Sequence, residues 1–154
     1  MGGDTRRAAM DAAVRLLARR NHSAYELSQK LRQRGFGNGE IETVLAECER
    51  YHYIDDEETA RSFFRELKAR GHGFQRIRQE MKKKGLAGDA VDALLGEYAE
   101  SADEVTNARR AIEKKQARFE RETDPRKRRE KIYRFLCSRG YSRAVISTLM
   151  GEIA

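Results

Sequence analysis

The side chains whose type and spacing could do chemistry in this sequence are its lysines and arginines. From Arg61 to Lys84 run Arg61, Arg65, Lys68, Arg70, Arg76, Arg78, Lys82, Lys83 and Lys84, opposed only by Glu66 and Glu80. From Arg109 to Arg143 fourteen basic residues face five acidic ones, with Phe119, Tyr133, Phe135 and Tyr141 interspersed. Cations clustered in this way attract phosphate far better than the same charge dispersed. Some of them complement helix dipoles, since Lys82 to Lys84 and Arg139 stand where helices end. That role does not account for Arg126-Lys127-Arg128-Arg129, which opens a helix, where the dipole opposes positive charge. Nucleic-acid phosphate is the first candidate partner for these residues, and a solvated charged surface is the alternative.

Other chemistries lack their parts. Asp55-Asp56-Glu57-Glu58 could be read as a metal site, but no His or carboxylate lies at a matching spacing, and helix capping explains the cluster. His22, His52 and His72 are twenty or thirty residues apart, which makes no local zinc or catalytic arrangement. The glycines at 35, 37 and 39 and at 71 and 73 do not sit between a strand and a helix and lack a Gly-Lys-Ser/Thr ending, so no nucleotide loop is expected. Cys48 and Cys137 are expected to be buried packing thiols. Charged residues form 37% of the chain and aromatics 8%, without Trp, so a deep, dry substrate cavity is hard to build. A protein without catalysis of its own and without a cofactor is expected.

The elements that carry these residues read almost entirely as helix, because apolar residues recur at three- and four-residue spacing and strand-like alternation is absent. Leu27, Leu31, Gly35, Phe36, Ile41, Val44, Leu45 and Glu47 recur fifty residues on as Ile77, Met81, Gly85, Leu86, Val91, Leu94, Leu95 and Glu97. They recur again 105 residues on as Ile132, Leu136, Gly140, Tyr141, Ile146, Leu149, Met150 and Glu152. The fold class is therefore all-α, with three tandem copies of a three-helix unit at residues 1–55, 56–103 and 104–154 and nine helices in all. Units of this size lie near the lower limit for a self-sufficient core, so each is expected to lean on its neighbour.

Within copy one, Met10, Val14 and Leu17 predict the first apolar stripe, Leu27 and Leu31 the second, and Ile41, Val44 and Leu45 the third. Ser23 with Glu26, and Asp55 with Glu58, are capping-box patterns, and Asp124-Pro125 opens a helix. Gly35, Gly85 and Gly140 follow basic residues and precede Phe36, Leu86 and Tyr141, which predicts left-handed caps with the next side chain folded back. Gln116–Thr123, the source of the five extra residues in copy three, is either part of a long seventh helix or a charged loop.

The net charge of +7 is unevenly placed. Copies one and two carry nine basic residues each, against eight and ten acidic ones, whereas copy three carries fourteen against seven. The surplus therefore sits in copy three. In each copy the second helix, glycine turn and third helix resemble a helix-turn-helix. The third helices of copies one and two carry Glu40, Glu42 and Glu47, and Asp89, Asp92 and Glu97, which duplex DNA would repel. Only copy three, with Arg143, keeps a DNA-facing option. No run of eighteen apolar residues occurs and the N-terminus lacks an apolar segment, so no membrane contact is predicted and a cytoplasmic protein is expected.

Together these features resemble the RecX family, regulators of the RecA recombinase. The resemblance rests on His22-Ser23, Glu26-Leu27, Lys30-Leu31, Arg34-Gly35-Phe36, Ile41 and Val44-Leu45, then Tyr53-Ile54-Asp55-Asp56 and Ala60. It continues through Gly71, Gly73, Ile77-Arg78-Gln79-Glu80 and Lys84-Gly85-Leu86, and closes with Tyr133-Arg134-Phe135-Leu136 and Arg139-Gly140-Tyr141. Two positions depart from the family pattern. His52 stands where Gly usually precedes the Tyr, and Ala24 where Arg or a similar residue is common.

The resemblance implies an elongated, curved array that binds as a monomer within the groove of a RecA filament on DNA and serves recombinational repair and the SOS response. It also implies inhibition of recombinase ATPase and strand exchange, and binding to single- and double-stranded DNA. On the charge map, the residues expected to meet DNA or the recombinase are Arg61, Arg65, Arg76, Arg78, Lys82, Lys83, Lys84, Arg126, Lys127, Arg128, Arg129 and Arg134. A general DNA-binding repeat and a solenoid adaptor for a protein partner are the alternatives.

Overall fold

The computed structural model describes residues 2–153. Among them are ten α-helices and no strand: α1 (Gly2–Arg19), α2 (Ala24–Gln33), α3 (Asn38–Arg50), α4 (Asp56–Ala69), α5 (Phe74–Lys83), α6 (Asp89–Glu100), α7 (Asp103–Lys114), α8 (Gln116–Glu120), α9 (Pro125–Ser138) and α10 (Arg143–Glu152). None of the described helices is long and apolar enough to cross a membrane.

The tenth helix corrects the expected count of nine. Gln116–Thr123 is neither an extension of α7 nor a plain loop. The chain breaks at Lys115, and the short α8 turns Phe119 into the core, where its ring meets Phe135 edge-on at 5.4 Å. The break turns the chain so that α8 packs against both α7 and α9.

The helices end as their residues dictate. At the end of α2 the Gly35 N–H donates to Arg32 O and the Phe36 N–H to Leu31 O, the paired bonds of a Schellman cap. The same pair closes α5 at Gly85 and Leu86, and α9 at Gly140 and Tyr141. The three glycines have φ of 91°, 66° and 80°, a region in which a side chain is strained. His52 closes α3 in the same way with φ 59°, a conformation His tolerates better than most residues. Ser23 and Glu26 form both halves of a capping box, Asp55 accepts the Glu58 N–H, and Asp124 accepts the Arg126 N–H with Pro125 opening the helix.

The chain forms two compact units. One holds the residues up to Ser62 together with Met81–Ala87, and the other holds Phe63–Glu80 with Gly88 onward. In the first unit α1, α2 and α3 pack together around Ala9, Ala13, Leu27, Leu31, Ile41, Val44 and Cys48. The buried line of α1 is Ala9, Ala12, Ala13 and Leu16, not the expected Met10, Val14 and Leu17. Val14 is 45% exposed, and Met10 and Leu17 lie at the rim of the core. Alanines on the inner face let α1 approach its partners closely, so the small residues face the core and the larger ones cover its edge.

In the second unit α7, α8, α9 and α10 pack around Ala108, Phe119, Ile132, Leu136, Tyr141, Ile146 and Leu149. Phe64 and Tyr98 meet edge-on at 5.3 Å. Cys137 is exposed, which corrects its expected burial, whereas Cys48 is buried. The core face of α9 is Ile132 and Leu136, and one further residue turns the side chain about 100° away from it.

Each unit contains one joint between consecutive copies, built on the same plan. In the first, the Ala24 N–H at the start of α2 donates to the Asp56 carboxylate of α4 at 2.9 Å, and the Ser23 hydroxyl donates to Lys84 O. In the second, the Phe74 N–H at the start of α5 donates to Glu104 of α7 at 3.0 Å, and Gly73 and Gln75 donate to the carbonyls of Arg139 and Gly140. The glycine cap of one second helix thus seats on the start of the preceding one.

Candidate nucleic-acid interface

Helix α9 organises the basic surface of copy three. Ile132 and Leu136 turn toward the core, which leaves 126, 129, 130, 133, 134 and 137 as one outward stripe at helical spacing. Arg126, Arg129, Tyr133, Arg134 and Cys137 from this stripe line an open groove of about 950 Å³. Its other wall is α10, with Arg143, Ile146, Ser147 and Met150. Four guanidiniums therefore face one groove around a tyrosine ring that is 51% exposed.

Among the described residues the only carboxylate lining the groove is Glu130, which lies 4.0 Å from Arg126. Arg129 donates to Ile153 O, which fixes it along the groove edge. Among the described residues no ion pair engages Arg134 or Arg143. Guanidiniums without a carboxylate partner are available to bind phosphate oxygens as paired donors. An exposed tyrosine beside them offers a face on which a nucleobase can stack.

The other expected contact residues are distributed as follows. Arg128 turns away from the groove and donates twice to Glu122 O, at 2.9 and 2.7 Å, so it ties down the turn before α9. Lys131 binds the Glu122 carboxylate at 3.1 Å, and that hydrogen bond holds the carboxyl below its ordinary pKa. Lys127 is exposed and does not line the groove. In the second unit Arg65 and Arg78 are exposed, and Arg76 pairs with Glu80 at 3.4 Å while its backbone packs against Gly140. In the first unit Arg61 pairs with Glu58 at 3.2 Å, and Lys84 with Glu26 at 3.6 Å, while Lys82 and Lys83 are exposed. Arg126, Arg129 and Arg134 are thus the expected residues gathered into one concavity.

Reading Arg126–Arg129 as a contiguous run missed this selection. The signal was present as the period of α9, which keeps the first and last members of the run on one side and turns Lys127 and Arg128 away from it. The acidic and histidine residues perform structural roles. His22 is buried, with Nδ1 on Arg20 O at 2.9 Å and Nε2 by Lys30 Nζ at 3.1 Å, and burial first, then nearby cations, lower its pKa. Among the described residues no group of His, Cys, Asp and Glu could hold a metal ion.

Family comparison fits this architecture copy by copy. Three family models, described as the first, second and third three-helix domains of RecX, match residues 9–48, 55–95 and 102–150. The chain belongs to the RecX family. It is 39% identical over 146 residues to the regulatory protein RecX of Legionella pneumophila (strain Corby), with 94% of both chains covered. It is 40% identical over 132 residues to the regulatory protein RecX of Vibrio campbellii, covering 86% of this chain and 83% of the relative. The crystal structure of RecX from Lactobacillus salivarius shares the fold, with a TM-score of 0.81 and 22% identity over 98% of this chain and 97% of that one.

Proposed function

We propose that this RecX-family chain is a negative regulator of the RecA recombinase. It binds within the groove of the RecA filament on DNA and inhibits ATP hydrolysis and strand exchange by blocking filament growth or promoting disassembly. The three copies, taken as 1–55, 56–103 and 104–154, act as one monomeric array in the cytoplasm, without a cofactor and without catalysis of their own. The observation that supports a DNA contact is the groove of α9 and α10, where four arginines face one concavity around an exposed tyrosine. Such a site binds the sugar-phosphate backbone without regard to sequence, because guanidiniums recognise phosphate and a ring stacks on any base.

The test adds the protein, at a small fraction of the recombinase concentration, to RecA filaments preformed on excess single-stranded DNA and follows ATP hydrolysis. Progressive loss of hydrolysis while bare DNA remains in excess is the expected result. Loss only when the protein is abundant enough to coat the DNA would instead make it a general DNA-binding repeat that competes for the strand.

A further inference from the structure

Six of the ten copy-three cations outside the groove gather on another flank of α9. A concavity of about 280 Å³ is lined by Arg70, Arg110, Lys114, Lys115 and Arg139, beside Gly71, Asn107 and Phe135. It adjoins a second concavity of about 520 Å³, which shares Lys115, Phe135 and Arg139 and adds Arg118, Lys131 and Arg134. Among the described residues no carboxylate lines either one.

Three of these cations are held by the protein itself. Arg70 binds Glu66 at 2.6 Å, and Lys131 binds Glu122. Arg139 donates to Arg70 O at 3.1 Å, and its guanidinium lies over the Phe135 ring at 5.2 Å. Among the described residues no ion pair engages Arg110, Lys114, Lys115 or Arg118. Lys114 and Lys115 complement the C-terminal end of α7, but Arg110 lies a full turn earlier and Arg118 belongs to α8, so the dipole does not explain them. Like charges gathered in a concavity repel one another unless an anion joins them.

The arrangement around α9 gives this flank its meaning. Residues 126, 129, 133 and 137 face the groove, 131, 135 and 138 face the second concavity, and Arg134 stands on the ridge between, lining both. A helix with its side chains is about 10–12 Å across, so α9 separates the two surfaces as a wall. We propose that the α7/α8 flank of α9 is a second binding site for a phosphodiester backbone, so that one protein molecule holds two nucleic-acid strands at once. This rests on the reading of the α9/α10 groove as the first strand's site. A regulator built in this way acts on a filament where two strands lie side by side.

The test mixes the monodisperse protein with equal amounts of donor- and acceptor-labelled single-stranded oligonucleotides, non-complementary and too short to reach both flanks. Two strands per monomer and energy transfer between them are expected. R110E/K114E/R118E is expected to reduce the stoichiometry from two to one and abolish transfer. In that variant the exposed Cys137 thiol, in the groove, should still be protected from maleimide by the remaining strand. R126E/R143E is expected to retain one strand while losing the protection of Cys137. Circular dichroism checks that each variant is folded, and R110Q/K114Q/R118Q serves at the same positions if the charge reversal is not tolerated. One strand per wild-type monomer, transfer only in a protein dimer, or two strands still held by the triple variant would each overturn the second site. Protection of Cys137 in that outcome leaves the groove reading standing, whereas a wild type that binds no strand removes both.

Discussion

The two joints between copies use the same device on different scales. In the first unit, Asp56 offers its carboxylate to one backbone N–H at the start of α2. In the second, Glu104 is 1% exposed and accepts from the Phe74 N–H, the Ser142 N–H and the Ser142 hydroxyl, each at 3.0 Å, so it ties α5 to α10. Beside it, Asn107 donates to the hydroxyls of Tyr98 and Tyr141, which donate in turn to the carbonyls of His72 and Gly71. Burial raises the pKa of both tyrosines, so they remain neutral donors. The unit that carries the arginine groove is the one held by the denser polar network. Close-set cations repel, and a scaffold that presents them needs compensating internal bonds.

Glycine substitutions break the comparison most severely. A Cβ at Gly140 would run into the backbone and Cβ of Arg76, and one at Gly85 into the Tyr25 side chain, whereas at Gly35 it meets nothing within 4 Å. Gly35→Ala therefore meets only the strain of its left-handed conformation, about 1–2 kcal/mol. Gly140→Ala adds overpacking against backbone and is expected to lose about 2–5 kcal/mol in denaturant unfolding. Equal losses at positions 35 and 140 would contradict a joint seated on the glycine cap.

The carboxylate pair separates the joints next. Glu104→Gln leaves a buried site short of acceptors and is expected to destabilise by about 2–3 kcal/mol, against about 1 kcal/mol for Asp56→Asn. Comparable effects would mean that the two joints are equally dependent on their clips.

The groove can be tested without changing stability. Arg134→Ala with Arg143→Ala should weaken single-strand binding for all sequences alike, and the slope of log affinity against log salt should become shallower by about 1.4 if each arginine meets one phosphate. If about six phosphates are contacted in all, the starting slope is about −4. Replacing Arg126–Arg129 should also reduce it, through Arg126 and Arg129, and an unchanged slope would remove that segment from the interface. Tyr133→Ala should affect single strands more than duplex, because duplex bases are already stacked.

The smallest expected effect is that of pH. His22 and His72 lie fifty residues apart, at the same place in successive copies, and burial foremost holds both below the ordinary value of 6.5. Well above that value neither the folded nor the unfolded form is protonated, and the full stability is present. As pH falls below it the unfolded chain takes up protons first, so stability should decline toward the folded pKa values. His72 Nδ1 is buried without a hydrogen-bond partner among the described residues, whereas both ring nitrogens of His22 have one. His22→Leu should therefore lose more stability at neutral pH than His72→Leu, and the reverse order would refute these roles.

Much of this architecture was legible in the residues. The eight repeated positions are readable because helix two, its glycine cap and helix three impose the same burial and backbone demands in every copy, and most of the apolar ones are buried. The stripe of α1 was misread because alanine carries little hydrophobic signal, although its small size is what permits close packing. Burial of Cys137 was misjudged because composition does not say which face of α9 a residue occupies. In the candidate interface, the abundance of arginine was visible, but not which guanidiniums are engaged inside the protein, as Arg128 is on Glu122 O.

By itself, then, the amino-acid order determined the helices other than α8, their caps and the threefold repeat, because each depends on contacts within a few turns of chain or on a pattern repeated intact. Tertiary structure alone decided that Asp56 and Glu104 do equivalent work, that Gly85 and Gly140 are sterically closed while Gly35 is open, and that Arg143 joins Arg126, Arg129 and Arg134 around Tyr133. Each of those outcomes depends on groups distant in sequence coming within a few ångströms, and neither charge density nor local periodicity encodes that proximity.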